Sequence, residues 1–416
     1  MYNNGIIKLN AKSQSVIVWF IYFSIMLNFY TYTYIQLFGQ MLLIAYIMIL
    51  IMKNGVPNRT IKILIGYIAW YGGLVTWAYL SRIWAVYSER ADASTLLTML
   101  RIGVIGICLL YYMSIVDGVN IVIKALIFAG VAFSVLTVLI NPISVWGKEE
   151  FVSFGDGFMR NGIASICLML ICFTVFWKFL FNKYIFCIMI SIFSITLFLC
   201  GSRRSILMLL SFVLLYNLTE KSSNLRIKRL CIFGLVGMIF LAVLVNIPYI
   251  YNTYIVRIEQ MFMGSSSSDA STVGRLAYIE LGWKMVLQRP ILGWGTDAFY
   301  TSLLRGNVRV GNAILYAVYS HNNYIEILTS YGFVGAVLFY RFHIEALIKS
   351  IKKRKSNQTS RFLFIMMIIW LVSDYGGIVF SVHMQMYFLI ISFFIFKRFI
   401  DSNQRKELIK LVDYGL

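Results

Sequence analysis

The feature that most constrains this chain is the recurrence of apolar runs of about 20 residues, the length a helix needs to cross about 30 Å of hydrocarbon. Such runs are predicted at 15–31, 34–52, 61–81, 95–116, 119–140, 161–181, 184–201, 204–219, 229–250, 321–347, 362–381 and 384–400. With 60% hydrophobic and only 13% charged residues, a water-soluble core could not absorb them. No pattern of short alternating strands is visible, which excludes a β-barrel reading. The expected fold is all-α: a polytopic integral membrane protein of about twelve transmembrane helices, one membrane domain over 1–416, with a long external loop at 249–319 carrying short helices.

The formal charge of +20 would suggest nucleic acid in a soluble chain, but here most of it lies in short connections, so no nucleic-acid partner is expected. With the N-terminus inside, Lys53, Arg59, Lys62, Lys178, Lys183, Lys221 and the run from Lys349 to Arg361 all fall on one side, as the positive-inside rule requires. Both termini are predicted cytoplasmic and Ser267 outside. The run at 15–31 lacks a small-residue cleavage site and reads as a retained first helix. The six cysteines lie in or beside apolar runs without a CxxC pair, so they read as small hydrophobes.

The outer face then holds basic residues that the rule disfavours, among them Arg82, Arg160, Arg203, Arg204, Arg275 and Arg289. Arginine is the planar, always-charged donor suited to phosphate, while headgroup contact is the alternative for several of them. In the long loop, 274–289 reads as a helix stopped by Pro290, with Arg275, Ile279, Gly282, Val286 and Arg289 on one face, so that two guanidiniums project together. Arg101, Glu326 and Asp374 are ionisable residues inside apolar runs, which marks them as functional or paired.

Ser320-His321-Asn322-Asn323-Tyr324 opens the run at 321–347. Ser320 reads as an N-cap, putting His321 in the first helical turn, where the local field disfavours imidazolium and leaves a candidate general base. An interfacial polar residue at a helix start is the plainer reading. His383 is expected at the outer hairpin of the last two helices, and His343 near the cytoplasmic end of its own.

Ser202-Arg203 after an apolar helix, Gly274-Arg275 with Pro290-Ile291-Leu292-Gly293-Trp294-Gly295 and Phe299, and Ser320-His321-Asn322-Asn323-Tyr324 with Tyr331-Gly332 and Gly335 together resemble the O-antigen ligase and polymerase superfamily. These are integral-membrane glycosyltransferases acting on lipid-linked saccharides. The resemblance spans 201–340 by motif and the whole chain by helix count. It implies a GT-C-like fold in the bacterial cytoplasmic membrane, an active site facing the periplasm or exterior, and a metal-independent inverting transfer with no cofactor. The implied partners are an undecaprenyl-pyrophosphate-linked oligosaccharide donor and acceptor and membrane lipid, with a chain-length regulator left open. Position by position, Arg203 and Arg275 match arginines that bind the donor pyrophosphate, and His321 matches the proposed base. Arg204, Arg289, Asn322, Asn323 and Tyr324 are further substrate-binding candidates. In one departure, Arg204 follows Arg203 where a small residue is common, which leaves open which guanidinium faces the cavity.

Asp374-Tyr375-Gly376-Gly377 and Ser381 resemble the polymerase branch more than the ligase branch. A repeat-unit polymerase for O-antigen or capsule is therefore expected first. A ligase acting on lipid A core shares its donor and leaving group. A lipid-linked saccharide flippase would carry its charges between two related halves, whereas here they concentrate in one loop.

Overall fold

The computed structural model describes residues 33–86, 93–115, 118–148, 150–152, 160–222, 224, 270–304, 308–310 and 313–400. The expected spans at 15–31 and 229–250, Ser267 and the C-terminal tail lie outside the described residues.

The helices are α1 (Thr33–Asn54), α2 (Asn58–Tyr67), α3 (Gly73–Leu80), α4 (Ala93–Ile115), α5 (Gly118–Ile140), α6 (Arg160–Phe176), α7 (Lys183–Leu199), α8 (Arg203–Leu218), α9 (Ala270–Gln288), α10 (Ala298–Leu304), α11 (Asn323–Ile351), α12 (Gln358–Asp374) and α13 (His383–Ile395). Helices α2 and α3 are joined without interruption by a π-helical turn, Ile68–Gly72. Five stretches are long and apolar enough to cross a membrane: Leu37–Asn54, Asn58–Ile83, Ser94–Ile115, Gly118–Ile140 and Asn323–Ile351. Their surfaces expose Met41, Met48, Met52 and Leu139, side chains that suit lipid and not water. The protein is an integral membrane protein of the helical class. The one departure from all-α among the described residues is an antiparallel hairpin, β1 (Val308–Val310) with β2 (Ala313–Leu315), in which Arg309 lies opposite Ile314.

The chain forms two compact units, Met1–Ile61 with Cys108–Ser205, and Lys62–Ile107 with Ile206–Leu416. In the first, α5, α6 and α7 pack together, with Phe133, Leu170 and Phe193 buried. The loop ahead of α6 is tied down by Asn141, whose Nδ2 donates to the Thr137 and Val152 carbonyls, both at 2.7 Å.

The second unit is centred on Trp70, turned inward by the π-helical turn. Its ring stacks on Phe393 at 5.1 Å and its Nε1 donates to the Phe339 carbonyl at 2.9 Å. The neighbouring Tyr71 hydroxyl donates to the Phe380 carbonyl at 3.0 Å. A satellite core of Tyr278, Met285, Phe299 and Leu315 sits under the long loop, so α9, α10 and the hairpin form a packed layer.

Two helices depart furthest from expectation. The run at 362–381 ends as a helix at Asp374, because the Val379 and Phe380 amides are drawn to the Asn323 side chain. The run at 321–347 is broken at Gly332 (φ 63°, ψ −165°) into helical halves 323–331 and 333–351. The second half alone is about 28 Å long, enough to cross the hydrocarbon. His343 is consequently mid-helix, not near an end, and is enclosed by Trp70, Phe339, Tyr340 and Phe342.

Candidate functional site

The break at Gly332 leaves helical backbone groups without their usual partners, and Pro290-Ile291-Leu292-Gly293-Trp294-Gly295 supplies replacements. The Trp294 and Gly295 amides donate to the Thr329 and Ser330 carbonyls at 2.8 and 2.9 Å. In return, the Phe333 amide donates to the Pro290 carbonyl at 2.7 Å and that of Val334 to Ile291 at 3.3 Å. Trp77 Nε1 donates to the freed Tyr331 carbonyl at 3.0 Å. Non-helical backbone among membrane helices is tolerated only when its polar groups are satisfied inside the protein, and this strap does that.

The break folds the first half back along the second, so Asn323 meets Tyr340. Asn323 Nδ2 donates to the Tyr340 hydroxyl at 3.0 Å and to Asp374 Oδ2 at 2.9 Å, and the Tyr340 hydroxyl donates to the same carboxylate oxygen at 2.7 Å. Asn323 Oδ1 accepts from the Val379 amide at 2.9 Å. Tyr324 stacks on Tyr340 and donates to the Leu371 carbonyl at 2.6 Å. These residues knit both halves of α11, the end of α12 and the connector to α13 into one hydrogen-bonded polar cluster.

The helix cap is Asn322, not Ser320. Asn322 Oδ1 accepts from the Tyr324 and Ile325 amides at 3.0 and 3.1 Å. His321 therefore precedes the helix, in a left-handed conformation (φ 56°) rare for a side-chain-bearing residue. Asp297 is the other such residue among those described. What holds the turn is the buried Glu326, whose Oε2 accepts from the Ser320 amide at 2.8 Å, while the Ser320 hydroxyl donates to the Asn322 carbonyl at 2.8 Å.

The turn delivers the His321 ring between two tyrosines, Tyr319 at 4.3 Å and Tyr278 at 5.8 Å between ring centroids. The Tyr278 hydroxyl is fixed by the Tyr316 backbone, donating to its carbonyl at 3.2 Å. Arg275 lies one helical turn before Tyr278 on α9, half-buried, with no hydrogen bond or ion pair among the described residues. A base candidate, an aromatic wall and an uncommitted guanidinium thus share one corner.

The α9 face expected from spacing is present, but it does not bring two guanidiniums together. Arg275 and Arg289 are about 21 Å apart along the helix. Between them Gly282 and Val286 face inward, Gly282 against Ile325 and Phe299. Arg289 is committed to the fold, lying 4.5 Å over the Trp294 ring and donating to the Trp84 carbonyl at 3.3 Å. Asn322, Asn323 and Tyr324 likewise direct their polar groups to the protein itself.

Arg203 and Arg204 open α8 and belong to the first unit. Arg204 Nη2 donates to Ser165 Oγ on α6 at 2.8 Å, and Arg203 is half-buried beside it. Gly201 (φ 62°) brings the chain against Gly147, whose carbonyl accepts from Arg160 Nη1 at 2.7 Å.

Sequence reasoning did not single out Tyr278 or Tyr319, and it named Glu326 without its role. The aromatic residues on either side of the histidine were the available signal. No curated protein matches the chain. The family model described as O-antigen ligase matches residues 186–340, a stretch that contains Arg203, Arg204, Arg275, Tyr278, the Gly293 strap and the His321 turn. Over these residues the chain is similar to the O-antigen ligase family, which supports the resemblance to the O-antigen ligase and polymerase superfamily.

Proposed function

We propose that this protein is a GT-C-like glycosyltransferase that polymerises lipid-linked saccharide repeat units at the outer face of the bacterial cytoplasmic membrane. The observation that carries this reading is the placement of Arg275 one helical turn from the tyrosine that faces His321. In the reaction, the acceptor hydroxyl oxygen forms a bond to the anomeric carbon of the donor glycan and its proton passes to His321. The bond from that carbon to the pyrophosphate oxygen breaks, and its electron pair stays on the leaving pyrophosphate. Arg275 meets the charge that develops there. Fixed guanidiniums can stabilise this leaving group without a divalent cation, and a single displacement inverts the anomeric centre. Asn322 and Glu326 set the turn, while Asn323 and Tyr324 hold the floor beneath it.

Two measurements test the proposal. A deletion strain should display single repeat units on its surface, whereas accumulation of lipid-linked polymer with none displayed would reassign the protein as a ligase. Purified protein should lengthen polyprenyl-pyrophosphate-linked repeat units in a chelator, and absence of chain growth there would refute the metal-free reaction.

A further inference from the structure

Tyr319 is 42% exposed, yet its place in the chain is fixed from both sides. Before it, Ala317 and Val318 pack on the satellite core under the long loop. The Tyr316 amide donates to the Tyr278 hydroxyl at 3.2 Å, and that hydroxyl donates back to the Tyr316 carbonyl at the same distance. After it, Ser320 is buried, with its amide on Glu326 and its hydroxyl on the Asn322 carbonyl. An exposed aromatic ring held between two anchored neighbours is preorganised for contact from outside the fold.

The ring touches His321, with centroids 4.3 Å apart and planes inclined at 48°. The acceptor hydroxyl must reach the same imidazole, so the acceptor passes one of the two rings that flank it. Tyr278 is buried, and its helix carries Arg275 one turn away. A single displacement sends the attacking oxygen and the leaving pyrophosphate to opposite sides of the anomeric carbon. The side that holds Arg275 is then the donor's, and the acceptor belongs beside Tyr319.

The chemistry of an exposed ring suits a sugar there. The face of an aromatic ring is negative, and one face of a pyranose presents weakly positive C–H hydrogens to it. A sugar stacked in this way keeps its hydroxyl groups pointing sideways, which leaves one of them free to meet the imidazole.

We infer that Tyr319 is the stacking platform for the acceptor sugar and sets which hydroxyl of that sugar meets His321. The inference rests on the glycosyl-transfer reading above. Anchoring at the lipid interface is the other common use of an exposed tyrosine. That use needs no contact with the histidine, and Tyr316, 73% exposed on the same segment, would serve it better.

The probe is the oligosaccharide freed from the lipid-linked repeat unit by mild acid, which has neither lipid nor pyrophosphate and so reports on sugar contacts alone. Its affinity for the full-length protein in phosphatidylcholine nanodiscs is measured by saturation-transfer NMR. Tyr319→Ala and Tyr319→Leu should each weaken binding about tenfold, the upper end of what one aromatic contact contributes, while Tyr319→Phe stays within about twofold of wild type. Tyr316→Ala should also stay within about twofold of wild type. In turnover, Tyr319→Leu should raise the acceptor KM by the same factor as it weakens the probe, and Tyr319→Phe should restore it. The inference is overturned if wild type does not bind the probe, or if Tyr319→Ala binds it normally. It is overturned equally if Tyr319→Leu matches Tyr319→Phe, or if Tyr316→Ala loses as much as Tyr319→Ala, because an apolar or interfacial anchor would then explain the ring. If Tyr319→Ala does not run as a folded species in gel filtration, Tyr319→Leu decides the question alone. Failure of the glycosyl-transfer reading is distinct: wild type would then bind the probe through Tyr319 but show no chain growth.

Discussion

Gly293 and Gly332 lie backbone against backbone: a Cβ on Gly332 would stand 2.7 Å from the Gly293 amide nitrogen, and one on Gly293 would stand 2.6 Å from that of Gly332. Both adopt positive φ, so strain and collision act together. Gly332→Ala should destabilise the protein by about 1–3 kcal/mol from strain alone, with the steric clash added. Gly274→Ala, with nothing within 4 Å of the new carbon, should shift stability by less than about 1 kcal/mol, in the favourable direction. Thermal unfolding followed by tryptophan fluorescence compares the two, and equal melting behaviour would mean that the strap does not define the break.

His321→Ala should lower the rate of chain growth by about 10² to 10⁴, with donor affinity unchanged. Single-turnover kinetics with purified protein separates the two effects. A loss confined to donor binding would remove His321 from the proton transfer.

Arg275→Ala should abolish polymer formation without reducing protein in the membrane. Arg275→Lys should rescue poorly, because an ammonium cannot reproduce the two parallel bonds that a guanidinium makes to phosphate oxygens. Full activity of the lysine variant would reduce Arg275 to a generic charge. Arg289→Ala should behave differently, lowering the melting temperature through lost contact with Trp294 and Trp84.

Glu326 holds the Ser320 amide at the His321 turn, so on the proposed reaction its effect comes through that turn. Glu326→Gln keeps an acceptor for the Ser320 amide and should retain most activity, whereas Glu326→Ala leaves that buried amide unsatisfied, a loss of about 1–3 kcal/mol. Activity after Glu326→Ala should fall in kcat and recover with Gln, which distinguishes support of the turn from a requirement for the carboxylate charge.

Asn323→Asp should be among the most damaging isosteric changes in the chain. It replaces the amide that donates to Asp374 with a second carboxylate at hydrogen-bond distance. The expected result is loss of folded protein, restored in part by Asp374→Asn, and a double-mutant cycle on melting temperature measures the coupling.

The sequence revealed the spans because membrane helices are read by length and apolarity, and α4 and α5 fall within two residues of expectation at each end. It concealed the break in α11 because Gly332 sits inside a run that reads as one helix, and its φ is imposed by a strap about 40 residues earlier in the chain. The motif at 320–324 was visible, but not the division of labour within it. Whether Ser320 or Asn322 caps the helix depends on where the chain enters the unit, and that is set by the buried contacts of Glu326 and Asn323. Arg289 looked equivalent to Arg275 by periodicity. Only packing on Trp294 distinguishes them.

The folded-back half of α11 also affects side reactions. Because Asn323 reaches Tyr340, the His321 turn lies beside a point about 12 Å along the second half-helix from the break, not at the tip of the pair. On the proposed reaction, a glycosyl donor opened there would have the buried Tyr278 ring on one side, while Tyr319, 42% exposed, would leave another side open to water. Water would then compete with the sugar hydroxyl from the Tyr319 side, and free glycan released during chain growth would measure that competition.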